Sequence, residues 1–383
     1  MARILYLTAD DATLATSENN GYYIGEALHK SGAIVDDVML PDFTLVEKFR
    51  VALIKAYSHA RHQTYRAKSD PLLIQRRTKR TQKIVNFAKY DLIFSNSGVN
   101  LGFLAPHIRT AFYTDAPIAA LKELGHYFDD WSAQRIEDYI ALDRRAVMNA
   151  EKVIYHTTWA MEYAAKAYGV DRSRLAVIAP GANLPWIPRA NANVNKERLL
   201  ECHLLFFGRD WIRKGGPQAQ EIVRYLNTTG VKAILHVCGP SFKPKSIHED
   251  KSVMWHRPIN KLSAADIDRL ATLMSDMDYM LLPTRADTST SAIREACAFG
   301  VPSIVTGVGG LGSMVLDGNT GLVVGSNEDS LAIASRINEN FTNDSQRISF
   351  QRAARHQYES RFNWPVAIQG ITEALQPFDG SDK

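Results

Sequence analysis

Three cysteines in 383 residues, each in or beside an apolar stretch, give neither a disulfide framework nor metal-ligand spacing. That scarcity suits a reducing compartment, and the expected location is the cytoplasm. No apolar run reaches the 18 residues of a membrane span. The opening MARILYLTADD has only a brief apolar stretch before two acids, which reads as neither a signal peptide nor an anchor. Short repeats, low-complexity segments and a GxGxxG dinucleotide fingerprint are also missing. Aromatic-interleaved and zinc-finger signatures do not occur, so nucleic acid is not an expected partner. Nor does a bracketing pair of carboxylates of the kind glycoside hydrolases need stand out.

What is present is a long, evenly apolar chain. At 45% hydrophobic residues over 383 positions it exceeds one usual core and predicts two domains. The net charge of +4 conceals an uneven distribution: Lys48 to Tyr90 holds twelve Lys/Arg against one acid, Asp70, which leaves −7 on the rest. A peripheral contact with an anionic membrane through 48–90 is one reading, since each basic residue near such a surface contributes about 1 kcal/mol. A solvated helical face is the other.

Strand and helix alternate throughout. RILYLTA, IVDDVML, LIFSNSG, TAFYTD, KVIYHTT and LAVIAPG read as strands, with helices in GYYIGEALHKSG, in the basic segment with a fresh start at Pro71, in RIEDYIALDRRAVMNA and in WAMEYAAKAYG. After GANLPWIPRANANVNKE, whose prolines and asparagines mark a linker at 186–200, the pattern repeats. HLLFFG, AILHVCG, YMLLP, SIVTG and GLVV alternate with QAQEIVRYLN, AADIDRLATLM, SAIREACAFG and DSLAIASRINENF. The expected class is α/β, two doubly wound Rossmann-like domains, with ligands beyond the carboxyl ends of the strands and in a cleft between domains.

Two segments carry chemistry. In FFGRDWIRKGG, Gly208 opens a strand-to-helix loop on which Arg209 and Lys214, five apart, can both reach one anion and stabilise a departing diphosphate. In PTRADTSTSAIREACAFG, Asp287 precedes Thr288, Ser289, Thr290 and Ser291, good residues for a helix start, and Glu295 lies eight beyond it. Carboxylates accept hydrogen bonds from sugar diols while the N–H groups of a helix start meet phosphates, so the layout reads as a nucleotide-sugar site. An ordinary αβ unit with Glu295 facing solvent is the alternative. The loop ADDATLATSENNGYYIG, holding Asp10, Asp11 and Asn20, leads into a helix at Gly21.

GRDWIRKGG, the block from Pro283 to Gly310, DGNTGLVV, and the stretch from VIYHTTW to IAPGAN together resemble the retaining glycosyltransferases of family 4, with the GT-B fold, over nearly the whole chain. The resemblance implies a nucleotide diphosphate sugar as donor and a glycan or lipid-linked acceptor hydroxyl, with retention at the anomeric carbon. It places the acceptor domain at 1–185, the donor domain at 201–362, and a helix crossing back at 363–383, anchored by Phe362 and Trp364. It assigns the diphosphate to Arg209 and Lys214, ribose hydroxyls to Glu295 and the donor sugar to Asp287, where the family has glutamate. Gly21 would approach donor phosphates. The family's histidine near TAFYTDAP has no counterpart, and Asp115 is the nearest polar substitute, with His156 a second candidate. No cofactor and no metal is expected. Alternatives are a non-catalytic nucleotide-sugar-binding protein on the same scaffold, a nucleotide-sugar epimerase, or a phosphorylase. The expected setting is cell-surface polysaccharide, lipopolysaccharide or glycolipid synthesis, at the inner face of the membrane.

Overall fold

The computed structural model describes residues 3–9, 20–30, 32–184, 186, 188 and 201–375. The described residues divide into two compact units, one holding those of 3–9, 20–179 and 367–375, the other those of 180–366. The linker expected at 186–200 lies outside the described residues apart from Trp186 and Pro188, as do Asp10 and Asp11.

In the first unit the elements run β1 (Arg3–Thr8), α1 (Asn20–Lys30), β2 (Ile34–Met39), α2 (Leu45–Ala60), α3 (Pro71–Ile84), β3 (Leu92–Ser95), β4 (Thr110–Thr114), α4 (Ile118–Leu124), α5 (Ala133–Asn149), β5 (Lys152–Tyr155), α6 (Thr158–Tyr168) and β6 (Leu175–Val177). Six parallel strands pair in the order β2-β1-β3-β4-β5-β6. Inner strands such as LIFS and TAFYT are apolar on both faces because helices cover both, whereas edge strand β2 carries Asp36 and Asp37, charges that discourage further pairing. Leu5, Leu7, Ile93, Phe112, Val153 and Tyr155 lie at the centre of the core.

Local signals set the helix starts. Thr44 and Glu47 form a reciprocal capping box at α2, and Asp70 caps α3 by accepting from Leu72 N at 2.9 Å and Leu73 N at 3.2 Å, with Pro71 in the first turn. The basic segment is therefore two helices.

The second unit runs β7 (Glu201–Phe207), α7 (Gly216–Thr228), β8 (Lys232–Cys238), β9 (Val253–His256), α8 (Ala264–Ser275), β10 (Tyr279–Leu282), α9 (Ser291–Ala298), β11 (Ser303–Thr306), β12 (Gly321–Val324), α10 (Ser330–Thr342) and α11 (Asp344–Ser360). A last helix, α12 (Trp364–Leu375), begins in this unit and continues into the other. Its six parallel strands pair in the order β12-β11-β10-β7-β8-β9, the Rossmann arrangement, with the chain order reversing between β7 and β10. Within this unit Phe362 is fully buried and the Trp364 indole N–H donates to Asn183 Oδ1 at 3.1 Å.

Candidate functional site

A parallel sheet leaves a crevice where neighbouring strands send their connections to opposite faces. In the second unit that point lies between β7 and β10, so the loops 208–215 and 283–290 meet there. Glycine makes the close approach possible. Gly215 sits at φ +80°, and a Cβ built on it would lie 1.8 Å from the carbonyl oxygen of Pro283. Gly239, at φ +124° after β8, would meet the Gly208 carbonyl at 2.6 Å.

The crevice holds a cavity of about 410 Å³ lined by Gly208, Arg209, Arg213 and Lys214 from the first loop, Pro258, Ile259 and Lys261 from the connection after β9, and Thr290, Ser291, Ala292 and Glu295 at the start of α9. Thr290 is the N-cap residue of α9 and its side chain makes no capping bond to the helix, so among the described residues no side-chain cap covers the first N–H groups of α9. The Thr290 hydroxyl instead accepts from Lys214 Nζ at 3.3 Å.

Two buried ion pairs organise the charges. Lys214 Nζ donates to Asp287 Oδ2, and Lys261 Nζ donates to Glu295 Oε1 at 2.6 Å and to the Asn183 carbonyl at 3.2 Å. Glu295 has no exposed surface, and among the described residues its second oxygen, Oε2, has no hydrogen-bond partner. A buried carboxylate oxygen in a cavity wall is an acceptor for hydroxyls of a bound molecule. Arg209 is exposed at the cavity, and Arg213 donates to the Ala286 carbonyl at 2.7 Å, tying the two loops together.

Arg209, Lys214, Thr290, Ser291 and Glu295, picked out from the sequence, thus line one cavity with Gly208. Asp287, Thr288 and Ser289 lie just behind it. The Asp287 carboxylate is engaged by Lys214 and by the Thr288 N–H at 3.0 Å, and the Ser289 hydroxyl accepts from Arg294 at 3.0 Å. Gly21 and Asp115 belong to the first unit. Gly21 is buried near the start of α1 and its carbonyl accepts from the Tyr6 hydroxyl at 2.9 Å, while Asp115 follows β4 and accepts from the Ala116 N–H at 2.9 Å. His156, also in the first unit, is buried with its ring 4.6 Å from that of Tyr113.

Lys261 and Arg294 were not anticipated. Arg294 is 1% exposed and donates to the Gly181 carbonyl at 3.1 Å as well as to Ser289, so it holds the loop ahead of α9. For Arg294 the available signal was charge on an otherwise mostly apolar helix: Arg294 and Glu295 stand among Ala292, Ile293, Ala296 and Cys297, all buried, and buried charges need partners.

Residues 201–343 match the family model described as glycosyl transferases group 1. The chain is 24% identical over 306 residues to a D-inositol 3-phosphate glycosyltransferase of Corynebacterium urealyticum, spanning 74% of this chain and 70% of that protein. A sucrose-phosphate synthase from Thermosynechococcus elongatus superposes with a TM-score of 0.69 at 18% identity, covering 100% of both chains. Anabaena HepE, solved in complex with UDP-glucose, gives 0.64 at 16% identity, covering 98% of this chain and 100% of that one.

Proposed function

We propose that this chain, whose residues 201–343 match the group 1 glycosyl transferases and whose fold is the GT-B fold, is a nucleotide-sugar glycosyltransferase that transfers the sugar with net retention, and that the cavity between β7 and β10 holds the donor. The observation that carries the site is the convergence, in one cavity of about 410 Å³, of Arg209, Lys214, the open start of α9 and the unpartnered oxygen of Glu295. Arg209, Lys214 and the helix start meet the diphosphate; Glu295 Oε2 accepts from ribose hydroxyls. Asp287, just behind the cavity, holds the Lys214 ammonium in place, so its part at the donor sugar is exerted through Lys214.

In the reaction, the bond between the anomeric carbon and the diphosphate oxygen breaks while the acceptor oxygen attacks from the same face. The acceptor proton passes to the departing phosphate oxygen. Charge builds on that phosphate in the transition state, and two cations and a helix dipole fixed in advance favour it there over the ground state. Positive charge is thus supplied by side chains, which makes a metal ion and any other cofactor unnecessary for this step. Asp115, standing where the family has its histidine, is assigned a catalytic role at the donor sugar, and Gly21 is assigned to the donor phosphates.

The acceptor hydroxyl belongs to a glycan or a lipid-linked molecule in cell-surface polysaccharide, lipopolysaccharide or glycolipid synthesis, reached from the cytoplasmic side through a peripheral contact of 48–90 with the membrane. D-Inositol 3-phosphate is named for the Corynebacterium relative and UDP-glucose for HepE, which makes inositol phosphates and uridine diphosphate sugars the first compounds to assay. The test is thermal stabilisation by nucleoside diphosphates and their sugars, followed by donor turnover in Lys214→Met. Turnover is expected to fall at least ~10²-fold, the scale for removing one preorganised group facing developing charge. Undiminished turnover overturns the role of Lys214.

A further inference from the structure

One concavity in the first unit has no part in the chemistry above. It encloses about 730 Å³ between α2, α3 and α5. Asp70, Pro71 and Leu72 at the start of α3 line it, as do Trp131 and Arg135 at the start of α5. Both helices run back toward the amino ends of the strands they precede, β3 and β5, so their first turns stand on the carboxyl-end side of the sheet, where ligands of such sheets bind.

Its walls combine aromatic surface with uncommitted positive charge. Among the described residues the guanidinium groups of Arg50, Arg66 and Arg145 hold no hydrogen bond or ion pair, though Arg66 lies over the Trp131 ring at 5.7 Å and Arg145 over the Phe103 ring at 5.2 Å. The opposing acids are fewer and occupied. Asp70 is taken up by its cap on α3 and by the Tyr65 hydroxyl at 2.6 Å, and Asp138 accepts from Gln134 at 2.8 Å. At the same wall the buried indole N–H of Trp131 has no acceptor among the described residues.

α2 extends this surface. Leu45, Phe49, Leu53 and Tyr57 recur every four residues along one stripe and are between 57% and 85% exposed, so the stripe is mostly uncovered. Lys48, Arg50 and Lys55 flank it. Arg50, Ile54 and Tyr57 belong at once to α2 and to the cavity wall. A helix with an apolar stripe bordered by cations lies in the plane of an anionic bilayer surface.

We propose that this cavity binds the phosphate-bearing head of an anionic lipid, with α2 seated in the membrane surface beside it. The inference names the partner of the basic segment invoked above; the role of that lipid in transfer rests on the glycosyltransferase reading, but its binding does not.

Calorimetry on the full chain with dihexanoyl phosphatidic acid below its micelle concentration separates the cavity from general attraction to a surface. Dihexanoyl phosphatidylcholine and inorganic phosphate are the comparators. One phosphatidic acid per chain is expected, bound more tightly than either comparator, and weakened about tenfold or more in Arg66→Gln/Arg145→Gln. Phe49→Ser/Leu53→Ser should reduce sedimentation with phosphatidylglycerol-containing vesicles while leaving monomeric lipid binding unchanged. UDP binding, measured on the same samples, reports the second unit independently. Normal UDP binding with no heat from phosphatidic acid overturns the proposal, as does unaltered lipid binding in the arginine double variant. Lipid binding without UDP binding upholds the lipid site and counts against the donor reading.

Discussion

At the scale of single residues the site is governed by a buried charge pair whose members come from distant positions. Lys261 is 9% exposed and Glu295 not at all, and neither charge tolerates burial without the other. Glu295→Gln leaves the Lys261 ammonium uncompensated and is expected to cost about 3–5 kcal/mol of stability in chemical denaturation. Adding Lys261→Met removes the stranded charge and should restore most of that loss. Nucleotide affinity behaves differently. A hydrogen bond to a charged group contributes about 1.5–3 kcal/mol, so both Glu295→Gln and the double variant should bind nucleoside diphosphates roughly 10- to 100-fold more weakly. Recovery of affinity along with stability in the double variant would assign Glu295 to the fold alone.

At the scale of elements, the β7–α7 loop owes its position to glycine. Gly215→Ala demands a Cβ where the Pro283 carbonyl stands, at a φ of +80°, so the loop must move and carry Arg209 and Lys214 with it. Loss of both stability and nucleotide affinity is expected. Gly230→Ala is the control: its φ is +90° but nothing lies within 4 Å, so only the left-handed cost of about 1–2 kcal/mol should register, with affinity intact. Equal affinity in the two variants would show that the close approach does not position the cations. This junction was legible in the sequence because its signals are local: a fully apolar YMLL strand, a run of hydroxyl residues before SAIREACA, and paired glycines after a cationic loop. β9 escaped because VMWH is four residues at a sheet edge with an exposed Met254, and α4 because seven residues show little periodicity. Lys261 escaped for a deeper reason. It reaches Glu295 from the connection after β9, 34 residues earlier, and no spacing rule links two positions that only tertiary packing brings together.

At the scale of the whole molecule the two units carry titrating groups of opposite effect. In the second unit His203, His236 and His256 form a chain of hydrogen bonds across β7, β8 and β9, at 2.8 and 3.0 Å. Burial, reinforced by the two neighbouring rings, lowers the His236 pKa to about 3. The unfolded chain, with a histidine pKa near ~6.5, then binds more protons than the folded one between about pH 6.5 and 3. Stability from this group is complete above that window and drains away as pH falls through it. In the first unit Asp143 is buried, accepting from the Ile118 N–H at 2.8 Å and the Tyr168 hydroxyl at 2.7 Å, and burial raises its pKa to about 6. Here the folded state binds the extra proton, so stability is complete below the ordinary aspartate pKa of ~3.9 and is lost as pH rises toward about 6. Acidification from pH 6.5 to 4.5 should therefore weaken the second unit while strengthening the first. Hydrogen exchange resolved along the chain can follow each unit separately. His236→Gln should flatten the acid loss in β7–β9, and Asp143→Asn, which keeps both hydrogen-bond acceptances, should flatten the gain around α4 and α6. A parallel response of the two units, untouched by either substitution, would mean that other groups dominate the pH dependence of this fold.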